Sequence, residues 1–432
     1  MLEPVSPLIR TALVFGLILI ALRRRLSLGS AFLIGSVGLS IVFGLGMKSA
    51  LESAMSSILY GKTLSLAVIV TLILILSDSM ERAGQMQRML DGFRGLVRSQ
   101  RLNLILFPAL IGLLPMPGGA VFSAPMVKTL GRDTDLSGPD LSFINYWFRH
   151  IWEYWWPMYP GVLLGAIIAD VNLLSFVCIM LPLSISAFFL GRGPLMKLAP
   201  SNGPSGGPAR PDVAPFLQEM LPILVVIVVG LGAGGLLVLT MPDFGLGKET
   251  GLIFSLCLAI IWVWYGNRLT GREVGLTMKN PQLIKMVYMV FAILVFKGIL
   301  IDSNGVSAIS DELSRLHIPL VLVAVFLPFI VGMLTGITIA FVGATFPILI
   351  PLIQSHGDGP YLLAYMMVAM VTGFAGVLLS PLHLCLILSN EYFQAASGQV
   401  YRRLWKPCLF LMLVGIGYFW VLYGMFRYNG VT

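Results

Sequence analysis

Long apolar runs separated by short polar stretches follow one another along the whole chain. A run of about 20 apolar residues is long enough to cross a bilayer as a helix. The pattern predicts ten such spans, near residues 7–22, 28–47, 64–77, 141–168, 171–190, 216–240, 249–267, 283–301, 361–395 and 404–427. We therefore expect an all-α membrane protein.

Two further apolar stretches, 102–127 and 318–353, are broken in their middles by Pro, Gly or Thr. Each arm is too short to cross a bilayer comfortably, so the pattern favours two re-entrant hairpins; the alternative is a kinked packing helix. Pro157 and Pro381 interrupt the spans that follow the two hairpins. Since proline removes a backbone N–H and clashes with the preceding turn, both spans are predicted to be broken helices.

The two halves of the chain resemble each other. LFPALIGLLP (106–115) pairs with FLPFIVGMLT (326–335), and ILSDS (75–79) pairs with ILIDS (299–303). The predicted units are a first repeat at 1–190, a cytoplasmic linker at 191–215 rich in Gly and Pro, and a second repeat at 216–432. With five spans in each half, the second repeat enters the membrane from the opposite side. Inverted repeats of this kind are typical of secondary transporters.

Composition and charge agree with a membrane protein and give its orientation. Of the 432 residues, 57% are hydrophobic and 11% are charged, and the net charge is +8. Loops on the side of Arg23 carry 19 of the 28 Lys and Arg residues, against six on the other side. Because positive loops stay in the cytoplasm, both termini are predicted to lie outside, and the basicity indicates orientation rather than nucleic-acid binding. The four cysteines lie in apolar stretches without a CxxC pair and are interpreted as packing residues; no metal or cofactor is predicted.

The hairpin tips are the first candidate site. Freed carbonyls and helix N-termini at each tip suit a cation and an anionic group respectively. The candidate substrate-binding residues at or near the tips and breaks are Pro117, Gly118, Gly119, Ser123, Asn145, Thr335, Gly336, Thr338, Ser380 and His383.

Ionisable residues inside spans are costly and usually functional. On the fourth span, Arg149 and Glu153 lie one helical turn apart, with His150 between them. One interpretation is that Arg149 and Glu153 neutralise each other. The other is that Arg149 binds a substrate carboxylate while Glu153 or His150 carries a proton. The candidate ion-coupling residues are His150, Glu153, Thr345, Asn390 and Glu391, although Asn390 and Glu391 could lie at the cytoplasmic interface and His383 could be a packing residue.

GLLPMPGGAVFSAPMV (112–127) and SPLHLCLILSNEYF (380–393) resemble a prokaryotic membrane family catalogued as domain of unknown function 401. That family resembles the ion transporter superfamily, which includes gluconate permeases, divalent anion symporters and the large subunits of tripartite transporters. The resemblance implies an elevator-type carrier in the cytoplasmic membrane of a prokaryote, working as a homodimer. It also implies a substrate site at 117–120, 335–338 and around Pro157 and Pro381. Sodium-driven members carry a Ser-Asn-Thr signature at both tips, which this chain lacks, so that proton and sodium coupling both stay open.

The leading hypothesis is a secondary active transporter that moves a small organic anion, coupled to a proton or sodium gradient. One alternative is the membrane subunit of a multi-component transporter that needs a soluble binding protein. Another is an intramembrane metalloenzyme, since HIWE (150–153) places a His and a Glu three residues apart. Neither HExxH nor GxSxG occurs, so no enzymatic activity is predicted.

Overall fold

The computed structural model describes residues 6–24, 26–115, 118–132, 134–198, 213–241, 243 and 245–428, and within them the chain is helical without strands. The helices of the first half are α1 (Pro7–Arg23), α2 (Leu28–Phe43), α3 (Met47–Leu59), α4 (Gly61–Arg82), α5 (Gln85–Phe93), α6 (Gln100–Ile111), α7 (Ala120–Gly131), α8 (Gly138–Arg149), α9 (Pro160–Ala169) and α10 (Leu173–Leu190). Those of the second half are α11 (Ala214–Thr240), α12 (Gly247–Gly266), α13 (Gly271–Met278), α14 (Pro281–Asp302), α15 (Gly305–Arg315), α16 (Leu320–Thr335), α17 (Thr338–Ser355), α18 (Leu362–Leu379), α19 (Leu384–Tyr392) and α20 (Ser397–Tyr428).

The chain is a multi-pass membrane protein. Eight helices in the described ranges are long and apolar enough to cross a membrane, or nine if α15 and α16, which meet at a bend of 119°, form one span. Three predicted spans are not among the eight: 7–22 and 28–47 form helices of only 17 and 16 residues, and 141–168 is divided in two. Helix α17, part of a predicted hairpin, is one of the eight. Large apolar side chains remain exposed on the outer helices, as expected for a surface that faces lipid.

Short polar residues and glycine set the ends of several helices. The side chain of Ser27 accepts a hydrogen bond from Ser30 N and caps the start of α2, which ends where Gly44 adopts a φ of 76°. The side chain of Asn172 caps α10 in the same way, and Pro160 opens α9 at a position where its missing N–H costs nothing. Segment 48–63, which the sequence pattern assigned to an outside loop, instead contains α3.

Both predicted broken helices are divided in two, but the break in the first half is longer than the break in the second half. In the second half α18 ends at Leu379 and α19 begins at Leu384, so that the break is short and contains Pro381. In the first half α8 ends at Arg149 and α9 begins at Pro160. The prediction that Arg149 and Glu153 lie one helical turn apart is therefore wrong, because the helix already ends at Arg149, well before Pro157.

The two predicted hairpins are pairs of packed helices. The first hairpin consists of α6 and α7, and the second consists of α16 and α17. At both tips the chain reverses through a glycine in the left-handed region, Gly118 with a φ of 74° and Gly336 with a φ of 67°. The arms of the second hairpin are longer than predicted: α17 has 18 residues and is itself long and apolar enough to cross a membrane.

The same order of elements recurs in the two halves. Helices α4 and α14 both have 22 residues, and each is followed by a residue with positive φ and a short helix. Close backbone contacts recur as well. A β-carbon added to Gly112 would lie 2.9 Å from the carbonyl carbon of Arg149, and one added to Gly332 would lie 3.1 Å from that of Gly373. In both halves, the first hairpin helix thus packs its glycine against the broken helix.

The connector 78–101 contains α5, an amphipathic helix. Its Arg88 donates to the Glu219 carboxylate of α11 at 2.7 Å. At the start of α8, Ser137 and Asp140 form a capping box. The Asp140 carboxylate accepts hydrogen bonds from Arg403 at 2.8 Å and from Lys197 at 3.0 Å, which ties this end of α8 to α20. Of the predicted linker 191–215, residues 199–212 lie outside the described ranges.

Candidate functional site

A cavity of about 450 Å³ lies where the two hairpin tips meet the two helix breaks. Gly118 and Gly336 of the two tips line this cavity, together with residues of both helix breaks and of α14. Small-molecule sites commonly have this volume and combine an apolar lining with a few polar groups. The predicted site residues that line it are Gly118, Arg149, His150, Glu153, Gly336, Thr338 and His383.

Three helices begin at the wall of this cavity. Pro160 opens α9, Thr338 opens α17 and Leu384 opens α19, and all three residues line the cavity. The first backbone N–H groups of a helix have no partner within the helix and carry a partial positive charge. Three helix N-termini at one cavity therefore create an environment that favours a negatively charged group.

Arg149 adds a full positive charge to this environment. Its side chain is among the largest that are fully buried, and the residue is only 2% exposed. The guanidinium group packs directly on the first tip, since a β-carbon added to Gly119 would come within 3.0 Å of Cζ and overlap Nη2. Tyr159 lies beside Arg149, and its hydroxyl donates to the carbonyl of Gly112 at 2.7 Å. These contacts hold the guanidinium in place at the cavity.

Glu153 supplies the opposite charge. Its Oε1 accepts a hydrogen bond of 2.6 Å from Thr338 at the start of α17, and its Oε2 lies 3.7 Å from Nε2 of His150. Thr338 itself is held close, because a β-carbon on Gly161 would lie 2.9 Å from its methyl group. Glu153 thus links the break of the first half to the hairpin of the second half, and it is the carboxylate of a described lining that also contains Arg149 and Lys285.

Two imidazoles and a thiol meet on the same wall. Nε2 of His150 lies 3.0 Å from Nε2 of His383, and Sγ of Cys385 lies within 4.8 Å of a ring nitrogen of each. Nδ1 of His150 lies 2.5 Å from the carbonyl oxygen of Tyr146. Since a carbonyl only accepts, the proton of the neutral His150 ring sits on Nδ1, and the lone pair on Nε2 faces His383 and Cys385.

A second set of predicted residues forms a buried polar network behind the cavity. Ser123 donates to the side-chain oxygen of Asn145 at 2.6 Å, and Asn145 donates to Ser389 at 2.8 Å. Ser142 donates to the side-chain oxygen of Asn390 at 2.6 Å. These bonds join α7, α8 and α19, so that Ser123, Asn145 and Asn390 hold the first hairpin against both broken helices.

Several predicted site residues lie elsewhere. The hydroxyl groups of Thr335 and Thr345 donate to the carbonyls of Val331 and Phe341 in their own helices. Glu391 is exposed, and Ser380 is buried against the second tip, where it accepts a hydrogen bond from Leu382 N. These four residues are absent from the described lining of the cavity. Pro117 lies outside the described residues, so its predicted role stays a prediction.

Three residues of the cavity and the cluster beside it were not predicted from the sequence as site residues: Tyr146, Tyr159 and Cys385. Each lies within four residues of a predicted site residue or a break, which is the signal that could have found them. Cys385 was interpreted as a packing residue, whereas its buried thiol lies within 4.8 Å of ring nitrogens of His150 and His383. Lys297 of α14 donates to the carbonyl of Ile168 at 2.9 Å.

Fold and cavity together define a multi-pass helical membrane protein with a charged internal site. The chain belongs to the family described as "Protein of unknown function (DUF401)", whose model matches residues 8–424. The YdaH transporter of Alcanivorax borkumensis has a similar fold, with a TM-score of 0.60 at 15% sequence identity over 89% of this chain and 90% of that one. No curated protein sequence matches the chain.

Proposed function

We propose that this protein is a secondary active transporter of a small organic anion, with the anion's carboxylate bound at Arg149. The observation that carries the proposal is the buried Arg149 at a cavity whose wall also contains three helix N-termini. Arginine binds a carboxylate through two parallel hydrogen bonds, and charge-assisted bonds of this kind are about twice as strong as neutral ones. The similar fold of a transporter supports the proposal.

Charge balance supports coupling to a cation. Glu153 offsets the buried charge of Arg149, and Lys285, the other cation of the described lining, is exposed. An anion that enters beside Arg149 therefore adds a negative charge at the buried part of the cavity. Leaving such a charge buried costs several kcal/mol. A proton or a sodium ion that enters with the anion removes this cost. Glu153, with the Thr338 hydroxyl beside it, is the negative group of the cavity nearest to the second tip.

The proposed architecture is a pair of inverted repeats that works as an elevator, within the ion transporter superfamily and as a homodimer. The matching order of elements and the paired contacts of Gly112 and Gly332 support the repeat. The cavity also extends to Ser27 and Gln282, which adjoin loops predicted to be cytoplasmic. With both termini outside, this cavity opens to the cytoplasm, and the described conformation is the inward-facing one.

Uptake by proteoliposomes tests the proposal. Purified protein is reconstituted alone, and entry of labelled mono-, di- and tricarboxylates is followed under an imposed proton or sodium gradient. We expect gradient-dependent uptake of at least one anion, and dissipation of the correct gradient should abolish it. Since no other protein is present, such uptake also excludes dependence on a soluble binding protein. Absence of uptake for every carboxylate under both gradients would contradict the proposal.

Two variants give the site assignment a control. Arg149→Lys keeps the charge but loses the planar pair of donors, and we expect uptake to fall by about 10- to 150-fold, the loss of roughly 1.5–3 kcal/mol of charge-assisted bonding. Arg427→Ala removes an exposed arginine at the end of α20 and should leave uptake unchanged. Equal uptake by both variants would remove Arg149 from the substrate site.

A further inference from the structure

The cluster of His150, His383 and Cys385 has the composition of a metal site. Its three potential ligand atoms lie within 4.8 Å of one another, and all three residues are buried. The two Nε2 atoms are 3.0 Å apart. Two nitrogen ligands of a tetrahedral zinc ion, each about 2.0–2.1 Å from the metal, lie about 3.3 Å apart. A small outward shift of one imidazole therefore brings the pair to metal-binding distance.

The surroundings of His150 match those of a metal ligand. A metal-bound histidine usually donates its other ring N–H to a carbonyl or carboxylate, which fixes the tautomer and the ring orientation. Nδ1–H of His150 donates to the carbonyl of Tyr146 in this way, and Nε2 is left with its lone pair toward His383 and Cys385. The Tyr146 ring packs against both imidazoles, with centroid distances of 4.7 and 5.3 Å, and its hydroxyl donates to Leu378 O. His150 is thus held in the required tautomer before any metal binds, and His383 is the ring that has to shift.

The ligand types select the metal. Imidazole nitrogen and thiolate sulfur suit zinc and the late first-row transition metals, whereas magnesium and calcium prefer oxygen. The Glu153 carboxylate, 3.7 Å from Nε2 of His150, is available as a fourth ligand. We infer that His150, His383 and Cys385 bind one zinc-type divalent cation at the wall of the cavity. On binding, Cys385 releases its thiol proton to water. The ring proton of His383, which Nε2 donates to Nε2 of His150, transfers by exchange with water to Nδ1, so that Nε2 presents its lone pair to the metal.

This metal site does not depend on the proposed transport of an anion. Its ligands come from the break of the first half and from the start of α19, so a bound ion would join the two broken helices. Metal binding is measured at equilibrium, without a gradient and without a carboxylate. Failure of metal binding would leave the transport proposal intact, and failure of uptake would leave the metal site intact.

Cobalt titration tests the inference, because a cobalt–thiolate bond gives a charge-transfer absorption band that water and nitrogen ligands do not. Tag-free protein in detergent, kept reduced, is titrated with Co²⁺ and followed by absorption spectroscopy. We expect the band to saturate at one equivalent per chain and to disappear when Zn²⁺ is added. A wild-type spectrum without the band would overturn the inference, whatever the variants show.

Single substitutions identify the ligands. Cys385→Ser should remove the band and weaken Co²⁺ binding at least tenfold, and His383→Gln should weaken binding by a similar factor while the band persists at saturating Co²⁺. Cys178→Ser is the matched control, because Cys178 is an exposed thiol on α10 and its loss should change neither band nor affinity. A band that survives in Cys385→Ser, or one that is lost in Cys178→Ser, would refute the assignment. Thermal unfolding of each variant verifies that it is folded.

Discussion

Replacing Gly119 by alanine adds a methyl group between the first hairpin tip and the guanidinium of Arg149. That methyl carbon would overlap Nη2 and approach Cζ to 3.0 Å, so the guanidinium has to move. The backbone of Gly119 is right-handed helical, with a φ of −55°, and accepts alanine without strain. The change therefore perturbs the position of Arg149 and leaves the conformation of the tip alone.

The magnitude follows from the burial of Arg149. Because the residue is 2% exposed, its guanidinium cannot swing into water and has to shift against packed neighbours, including Tyr159. An extra methyl group in a well-packed site costs about 1–3 kcal/mol. If this cost falls on the orientation that binds the anion, affinity drops by about 5- to 150-fold. The overall stability of the protein should change by no more than the same amount.

The assay compares Gly119→Ala with Gly417→Ala in proteoliposome uptake and in anion binding. Gly417 lies in α20 with nothing within 4 Å of its added β-carbon, so its substitution should be neutral. Combining Gly119→Ala with Arg149→Lys completes a double-mutant cycle, and the two effects should be less than additive because they act on one contact. Equal activity of the two glycine variants, or full additivity in the cycle, would show that the contact between Gly119 and the Arg149 guanidinium does not affect anion binding.

Further predictions concern the second tip and the start of α8. Gly336→Ala should lower the unfolding temperature more than Gly357→Ala does: both residues have positive φ, but only the Gly336 β-carbon meets a neighbour, 2.8 Å from Oγ of Ser380. Equal shifts in differential scanning fluorimetry would contradict close packing at that tip. Asn145→Leu should destabilise the fold by about 1–3 kcal/mol by leaving Ser389 unpaired, and an unchanged denaturant midpoint would argue against the polar network. Burial opposes ionisation of Asp140, which precedes the predicted span, but hydrogen bonds from Arg403, Ser137 and Lys197 outweigh it and lower the pKa of the carboxyl to about 2. This lowered pKa stabilises the fold at pH values above the unfolded pKa of about 3.9, and the stabilisation is lost as the pH falls through 2. Allowing for screening by solvent, it amounts to about 1–2 kcal/mol. Asp140→Asn should remove this contribution from the pH dependence of the free energy of unfolding.

The sequence pattern predicted the positions of most helices because a bilayer demands long apolar runs. It missed α3, whose apolar positions Leu51, Met55 and Leu59 recur at helical spacing among serines but never form a continuous run. It also predicted a break in the first broken helix that is shorter than the observed one. A proline marks where a helix cannot continue, but contacts of His150 and Glu153 with residues of the other half accompany a much longer break, and those partners are more than 180 positions away along the chain.

The residues of the candidate site likewise fall into two groups, those that the sequence identifies and those that only the structure reveals. Arg149, His150, Glu153 and His383 were identifiable because charged or ionisable side chains are rare inside spans. Thr345 was not distinguishable from a site residue, because a threonine in an apolar helix can satisfy its hydroxyl on the preceding turn, as Thr345 does on Phe341. The thiol of Cys385 resembles any other small apolar residue in the sequence. Only the three-dimensional arrangement brings it to the two imidazoles.

The central claim is that the cavity binds an organic anion through the buried guanidinium of Arg149. The most direct test is the equilibrium dissociation constant of the transported anion, measured by isothermal titration calorimetry for wild type, Arg149→Lys and the surface control Arg427→Ala. We expect Arg149→Lys to bind the anion at least tenfold more weakly than wild type and Arg427→Ala to bind it with wild-type affinity, with both variants folded. Dissociation constants within a factor of two for all three proteins would contradict it.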